Sequence, residues 1–148
     1  MALSQDRAAT AEERSIDFND LVSWCHREII RSEDALLIEG IGGVMVPLDA
    51  QFTVRDWIAE LGLPVLLVAG THLGAISHTL SALAALRDVG VKPAAIVVNE
   101  SAGGVSIENT LASLAPHADD VPLLTLGRDD PAGMKALADR VAELKTRT

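Results

Sequence analysis

The chain has 148 residues, 49% of them apolar and 22% charged, so it fits a single domain over residues 1–148 that can bury a core and is not disordered. Its formal net charge of −9 argues against nucleic-acid binding, because such a surface needs Lys and Arg to neutralise phosphates. No apolar run approaches the roughly 20 residues of a membrane span, and no signal-peptide pattern is visible. The single cysteine rules out an intrachain disulfide. We therefore expect a cytoplasmic protein.

The first half of the chain predicts two helices and one strand. Residues 1–15 are polar and Ala-rich, and we expect them to form a loose arm. From Asp17 onward apolar residues recur at helical spacing, which predicts a helix. The short apolar run Ala35–Glu39 turns acidic before a glycine and predicts a buried parallel strand. A T-x-x-D capping pattern formed by Thr53 and Asp56 predicts the start of the next helix.

The second half alternates strands with helices. Pro64–Gly70 and Ala94–Asn99 are continuously apolar, which predicts parallel strands buried on both faces. Further elements are predicted as helices over Ala75–Asp88 and Ile107–Leu114, a short strand over Leu123–Leu126 and a terminal helix from Pro131. This alternation predicts an α/β fold, with a parallel sheet and helices on both faces.

Polar and Gly-rich residues follow the predicted strands. In parallel sheets, ligands bind outside the carboxyl ends of the strands. We therefore expect a ligand site formed by Glu39-Gly40, Gly70-Thr71-His72, Asn99-Glu100 and Gly127-Arg128.

The segment Glu39–Gly43 supports two interpretations equally well. A carboxylate at the end of a buried strand can coordinate Mg²⁺, and the glycines behind it allow backbone to approach a phosphate or substrate. The alternative is a tight turn with an ordinary solvated Glu.

The segment Gly70–His78 joins a strand to a helix, whose first N–H groups suit a phosphate or carboxylate. The alternative is a simple helix cap, with His78 as a packing residue. Because His72 and His78 stand six positions apart and no Cys/His cluster accompanies them, no zinc site is indicated. Asn99 can recognise a purine edge, although Asn is also common in such turns.

Four stretches together resemble the dethiobiotin synthetase family. They are DRAATAEERSIDFNDLV, LLIEGIGGVMVPL with its E-G-x-G-G segment, LPVLLVAGTHLGAISHTLSALAALRDVGV with its L-G-x-[IV]-[NS]-H turn, and IVVNES followed by ENTLASL. The resemblance covers nearly the whole chain in the family's order. It implies a fold similar to the P-loop NTPases.

The resemblance also implies site residues. Glu39 would help hold Mg²⁺ near the ATP phosphates, and nucleotide and substrate would lie against Gly40, Ile41 and Gly42. Asn99 and Glu100 would face the adenine, which Leu126, Gly127 and Arg128 would flank. A helix start at a dimer interface would bind the substrate carboxylate of the partner's site through Gly74, Ala75, Ile76 and Ser77. Ser77 stands where many members carry Asn, and Gly127 where Pro is frequent. No catalytic residue is assigned.

The family's reaction belongs to biotin biosynthesis and is that of a ligase. It closes a cyclic urea from 7,8-diaminopelargonate, CO₂ and ATP, so the implied cofactors are ATP and Mg²⁺ and the implied substrate is a small diamino acid.

The chain departs from the family in one respect. It contains no G-x-x-x-x-G-K-[ST] motif, so the P-loop strand is missing and we expect the chain alone to be inactive. Three hypotheses follow. The chain is part of a split or truncated synthetase that needs a separate N-terminal P-loop-bearing chain, or it is a catalytically inactive dimerising or regulatory module of the same fold. The third, an unrelated α/β domain with a chance match, is disfavoured by the length of the match.

Overall fold

The computed structural model describes residues 5–33 and 35–145. Its helices are α1 (Gln5–Ala11), α2 (Phe18–Arg31), α3 (Val54–Leu61), α4 (Ala75–Asp88), α5 (Ile107–Leu114) and α6 (Pro131–Lys145), with a 3₁₀ turn at Ala115–His117. Its strands are β1 (Leu66–Ala69), β2 (Ala95–Asn99) and β3 (Leu123–Leu126). No helix of the described residues is long and apolar enough to cross a membrane. The described residues form two compact units. The first lies within residues 1–63 and 85–91, and the second lies within residues 64–84 and 92–148.

The second of these units contains a parallel sheet in the order β1-β2-β3. Leu66 pairs with Ala95 at the start of β1, and Ile96 pairs with Leu123 at the start of β3. The predicted α/β class with a parallel sheet is therefore confirmed. Helices α4 and α5 and strand β3 begin and end where the sequence predicted them.

The core of this unit lies against one face of β2. Ile96 and Val98 point into it, and Ala95 and Val97, on the opposite face of the strand, are buried as well. The other buried members of the cluster come from β1, α4, α5 and the segment before β3, and are Ala69, Leu83, Leu114, Ala118 and Val121. Strand β2 is thus buried on both faces, as its continuous apolar sequence predicted.

Strand β1 differs from its prediction. Val68 is 64% exposed, although the segment Pro64–Gly70 was expected to be buried on both faces. Among the described residues β1 pairs only with β2, so it is an edge strand and one of its faces is incompletely covered.

The first unit is built around α2 and α3. Asp17 caps α2 by accepting a hydrogen bond from Asp20 N–H at 2.9 Å. The rings of Phe18 and Phe52 stack with their centroids 4.1 Å apart. The buried members of this cluster are Phe18, Val22, Cys25, Leu48, Val54 and Trp57. The two predicted helices thus form and bury the apolar faces that their periodicity indicated.

The predicted strand Ala35–Glu39 is wrong for this structure. These residues belong to no strand and no isolated bridge, and Leu37 is 76% exposed. A β-strand exists only when its N–H and C=O groups pair with a neighbour, and no described residue pairs with this segment.

The N-terminal segment also differs from its prediction. We expected a loose arm over residues 1–15, and Gln5–Ala11 form the helix α1, while residues 1–4 lie outside the described residues. Ala-rich composition favours helix, which explains the difference. The single-domain organisation of residues 1–148 stays a prediction.

Candidate functional site

The carboxyl ends of β2 and β3 carry two of the predicted nucleotide-side segments, and the structure brings these together. Asn99 is the register partner of Leu126. Glu100 N–H donates to the Leu126 carbonyl at 2.9 Å, and Glu100 Oε2 accepts a hydrogen bond from Arg128 N–H at 2.8 Å. The segments 99–100 and 126–128 therefore form one continuous edge, although whether they bind a nucleotide base stays a prediction.

The loop between β3 and α6, residues 127–130, is organised by Asp130. Its Oδ1 accepts from Gly133 N–H at 2.9 Å, which caps α6 as the sequence predicted, and its Oδ2 accepts from Gly127 N–H at 3.2 Å. The N–H of Gly133 stabilises the carboxylate most and the N–H of Gly127 next, and together they hold the pKa of Asp130 below its ordinary value. The hydrogen bond from Gly127 N–H to Asp130, which fixes the loop, was not predicted.

A second contact joins the ends of β1 and β2. Thr71 N–H donates to Ser101 Oγ at 3.0 Å, and Ser101 N–H donates to Thr71 Oγ1 at 3.0 Å. Val105 N–H donates to the Thr71 carbonyl at 2.8 Å. A Cβ at position 104 would lie 2.5 Å from the Thr71 carbonyl oxygen, so only glycine fits there. The sequence analysis did not identify Ser101 or Gly104 as functional residues. The pattern that could have indicated them is a hydroxyl residue and a glycine that follow a buried strand.

The predicted substrate-carboxylate turn begins α4. Gly74 has a φ of +88°, Ala75 N–H donates to the His72 carbonyl at 3.0 Å, and Ala75 is buried while Ser77 is exposed. Within residues 35–145 no hydrogen bond joins Gly74, Ala75, Ile76 or Ser77 to Glu100 or Arg128. The role of these four residues stays a prediction.

His72 and His78 flank that turn as exposed side chains, with ring centroids 6.4 Å apart. Within the described residues, no group of three or more His, Cys, Asp or Glu side chains could hold a metal ion. The two histidines are therefore not part of such a cluster.

Glu39 lies in the other compact unit, exposed to solvent. Mg²⁺ is usually held by one or two carboxylates with substrate phosphates and water completing its shell. Glu39 fits as one such ligand and does not form a metal site by itself. Behind it Gly42 has a φ of +82°, so this glycine is explained by the turn it makes. The turn is therefore present, it is compatible with both interpretations, and the predicted Mg²⁺ contact stays a prediction.

Comparison with known proteins gives the chain a family. Residues 1–124 match a protein-family model described as an AAA domain. The chain is 50% identical over 121 residues to a protein of Acidiphilium cryptum (strain JF-5) named ATP-dependent dethiobiotin synthetase BioD, covering 81% of this chain and 54% of that protein. It is 42% identical over 140 residues to a protein of the same name from Caulobacter sp. (strain K31), covering 94% of this chain and 61% of the relative.

A third protein of that name, from Methylobacterium nodulans (strain LMG 21967 / CNCM I-2342 / ORS 2060), is 45% identical over 119 residues, which cover 78% of this chain and 53% of the relative. The chain therefore spans little more than half the length of the curated relatives it matches.

Proposed function

This chain belongs to the dethiobiotin synthetase family, and we propose that it supplies the base-binding and substrate-carboxylate-binding part of an ATP-dependent dethiobiotin synthetase. The three relatives described above carry that name, which supports ATP use and a place in biotin biosynthesis. The single cysteine and the biosynthetic role support a cytoplasmic location.

The proposed reaction closes a cyclic urea. One amine of 7,8-diaminopelargonate adds to CO₂ as a carbamate, ATP phosphorylates the carbamate oxygen, and the second amine attacks the carbonyl carbon and releases phosphate. Such chemistry depends on positioning and on neutralising the charge of the phosphates. Mg²⁺, when bound, supplies part of that neutralisation.

Each part of this chain has a proposed task. The edge formed by Asn99, Glu100 and residues 126–128 receives the base of ATP. The start of α4, Gly74–Ser77, donates N–H groups to the carboxylate of the diamino acid bound by a partner subunit. Glu39 supplies one carboxylate oxygen to Mg²⁺, and residues 40–42 lie against nucleotide and substrate.

The phosphates of ATP need a cradle that this sequence lacks. No G-x-x-x-x-G-K-[ST] motif occurs in the chain, and the matched part covers only 54% and 61% of two of its relatives. We therefore propose that activity requires a P-loop-bearing segment, whether it belongs to a separate chain or to the same polypeptide. Segment 35–39 pairs with none of the described residues and exposes Leu37, which supports a missing neighbour.

The observation that carries this proposal is the contact between Glu100 and Arg128, because it assembles the two segments assigned to the base at one strand edge. The test is complementation. This chain is mixed with an N-terminal segment chosen to carry the P-loop expected of the family, and formation of dethiobiotin from 7,8-diaminopelargonate, bicarbonate and ATP is followed by mass spectrometry.

We expect turnover in the mixture and none from either component alone. Glu39→Gln should abolish it, whereas Glu60→Gln, the same change at an exposed position of α3, should leave it unchanged. A mixture that forms a complex, binds ATP and yet makes no dethiobiotin would overturn the proposal.

The absent P-loop motif favours a second candidate, a catalytically inactive dimerising or regulatory module of the same fold. That function predicts a stable dimer by sedimentation analysis and no ATP binding by calorimetry, with or without the P-loop-bearing segment.

A further inference from the structure

Thr71 is bound on three sides, just beyond the end of β1. Its N–H donates to Ser101 Oγ and its Oγ1 accepts from Ser101 N–H, each at 3.0 Å. Its carbonyl accepts from Val105 N–H at 2.8 Å. The residue is 0% exposed. The N–H, the carbonyl and the hydroxyl oxygen of Thr71 are therefore all bound by the loop that follows β2, residues 100–106.

That loop is closed around Thr71 without spare room. Gly104 N–H donates to the Ser101 carbonyl at 3.2 Å, and Gly103 has a φ of +68°. A Cβ at position 104 would lie 2.5 Å from both the carbonyl and the hydroxyl oxygen of Thr71, which is closer than carbon and oxygen can approach. Thr71 can therefore move only if the loop moves with it.

The backbone leads from Thr71 directly into α4. His72 is the next residue, and its carbonyl accepts from Ala75 N–H, the first of the helix, at 3.0 Å. Gly74, between them, has a φ of +88°, which lets the chain turn sharply into the helix. The orientation of the helix start is thus fixed through a single turn to the position of Thr71.

The first N–H groups of α4 are the ones whose direction matters. His78 N–H donates to the Gly74 carbonyl at 3.0 Å and begins the hydrogen-bond ladder of the helix. The N–H groups of Ile76 and Ser77 come before that ladder, as in the first turn of any α-helix, and can serve an anion. Hydrogen bonds weaken steeply as their angle departs from linear, so a carboxylate is bound well only if this turn is held in place.

We propose that Thr71 and Ser101 are positioning residues for the substrate carboxylate. By binding each other they fix the segment before α4 to the loop after β2, and so hold Gly74–Ser77 in the orientation in which its N–H groups meet the carboxylate. This inference rests on the proposed function and adds to it a pair that acts through the backbone. Thr71 is buried and does not itself contact the substrate.

A purely stabilising role for the pair makes a different prediction. If the two hydrogen bonds only stabilise the fold, their loss lowers the amount of active protein and affects every substrate alike. If they position the start of α4, their loss weakens only the ligand that carries a carboxylate. The two roles are separated by a substrate pair that differs in that one group.

The test compares 7,8-diaminopelargonate with 2,3-diaminononane, in which a methyl group replaces the carboxylate. KM for each diamine is measured at saturating ATP on the assembly with the P-loop-bearing segment. The native assembly should show a KM about tenfold or more higher for the analogue, because hydrogen bonds to a charged group are strong. Ser101→Ala leaves Thr71 N–H without its acceptor, so this ratio should fall to about threefold or less, while KM for ATP changes by less than about twofold.

Three further variants complete the series. Thr71→Val removes the acceptor of Ser101 N–H and should lower the ratio, whereas Thr71→Ser keeps the hydroxyl and should retain it. Ser113→Ala removes an exposed hydroxyl of α5 in the same unit and should leave the ratio unchanged. If Thr71→Val yields no folded chain, Ser101→Ala decides the question, because it leaves the bond from Ser101 N–H in place.

The outcomes distinguish this inference from the function on which it rests. A native assembly with the expected ratio, and an unaltered ratio in Ser101→Ala, would overturn the inference and leave the proposed function standing. The same holds if Ser101→Ala raises KM for both diamines and for ATP together. Equal KM values for the two diamines in the native assembly would overturn the carboxylate task of α4 and this inference with it. A native assembly that binds ATP and makes no dethiobiotin would overturn the whole proposed function.

Discussion

Thr71 and Ser101 bind each other through two reciprocal hydrogen bonds, in which the backbone N–H of each residue donates to the hydroxyl oxygen of the other at 3.0 Å. Thr71 follows β1 and is 0% exposed, and Ser101 follows β2. Each side chain therefore satisfies a backbone donor that the sheet leaves unpaired, and the pair ties together the ends of two neighbouring strands.

The first prediction concerns this pair. Thr71→Val keeps the shape of the side chain and removes the acceptor of Ser101 N–H, so it should lower the free energy of unfolding by about 1–3 kcal/mol. Thr71→Ser keeps the hydroxyl and should cost only about 1 kcal/mol, for one lost methyl group. Urea unfolding followed by circular dichroism measures both. A Thr71→Val variant as stable as the native chain would show that the hydrogen bond contributes nothing.

The start of α3 supports a second prediction. Asp56 Oδ2 accepts from both the N–H and the hydroxyl of Thr53, each at 2.7 Å. Asp56→Ala leaves that N–H without an acceptor and should cost about 1–2 kcal/mol in unfolding free energy. Asp56→Asn, which keeps an acceptor oxygen, should cost less. A chemical-denaturation series decides this, and an Asn variant as unstable as the Ala variant would contradict the hydrogen-bond explanation.

The third prediction is a dependence of stability on pH. The N–H groups of Gly133 and Gly127 hold the pKa of Asp130 below its ordinary value, so the folded state favours the carboxylate more than the unfolded state does. The resulting stabilisation is present above the ordinary Asp pKa of about 4 and is lost as the pH falls through the lower folded pKa.

Asp130→Asn provides the control, because Asn caps a helix and does not titrate. The difference in unfolding free energy between the native chain and this variant should therefore shrink as the pH is lowered from 7 to 3. A difference that stays constant over this range would refute the assignment.

Cys25 supports a fourth prediction. The thiol is 0% exposed, and burial raises its pKa. A thiol that is buried and protonated reacts slowly with disulfide reagents. We expect negligible labelling by a chromogenic disulfide reagent in native buffer and one equivalent in denaturant. Stoichiometric labelling of the native chain within minutes would contradict the buried position.

A fifth prediction compares two leucines of opposite environment. Leu37 is 76% exposed and Leu83 is 1% exposed. Leu37→Ala should change the unfolding free energy by no more than about 0.5 kcal/mol, whereas Leu83→Ala should lower it by about 2–5 kcal/mol. The same substitution in both places makes the two a matched pair. A large loss from Leu37→Ala would show that the segment 35–39 is packed in solution.

Local sequence patterns predicted most of the helices and strands. The Thr53–Asp56 pattern begins a helix, Asp130 and Pro131 begin another, and the continuously apolar Ala95–Asn99 forms a strand buried on both faces. These features depend on interactions within a few residues or on the periodicity of one segment, so they can be recognised without knowing what lies nearby.

Family resemblance also assigned the two segments 99–100 and 126–128 to one nucleotide-facing site, and the structure places them side by side. The contact that holds them together, from Arg128 N–H to the Glu100 carboxylate, spans 28 positions. Neither its donor nor its acceptor has any distinctive sequence context, so no pattern could have indicated it.

The sequence by itself therefore determined the alternation of strands and helices from β1 onward, the caps of several helices and the family to which the chain belongs. Tertiary structure alone decided that Ala35–Glu39 forms no strand, that Val68 of β1 is exposed, and that the donors of Gly127 and Arg128 are already bound. The physical reason is the same in each case. Strand pairing, burial and side-chain contacts to distant backbone need a second segment, and a segment's own residues do not specify whether that partner is present.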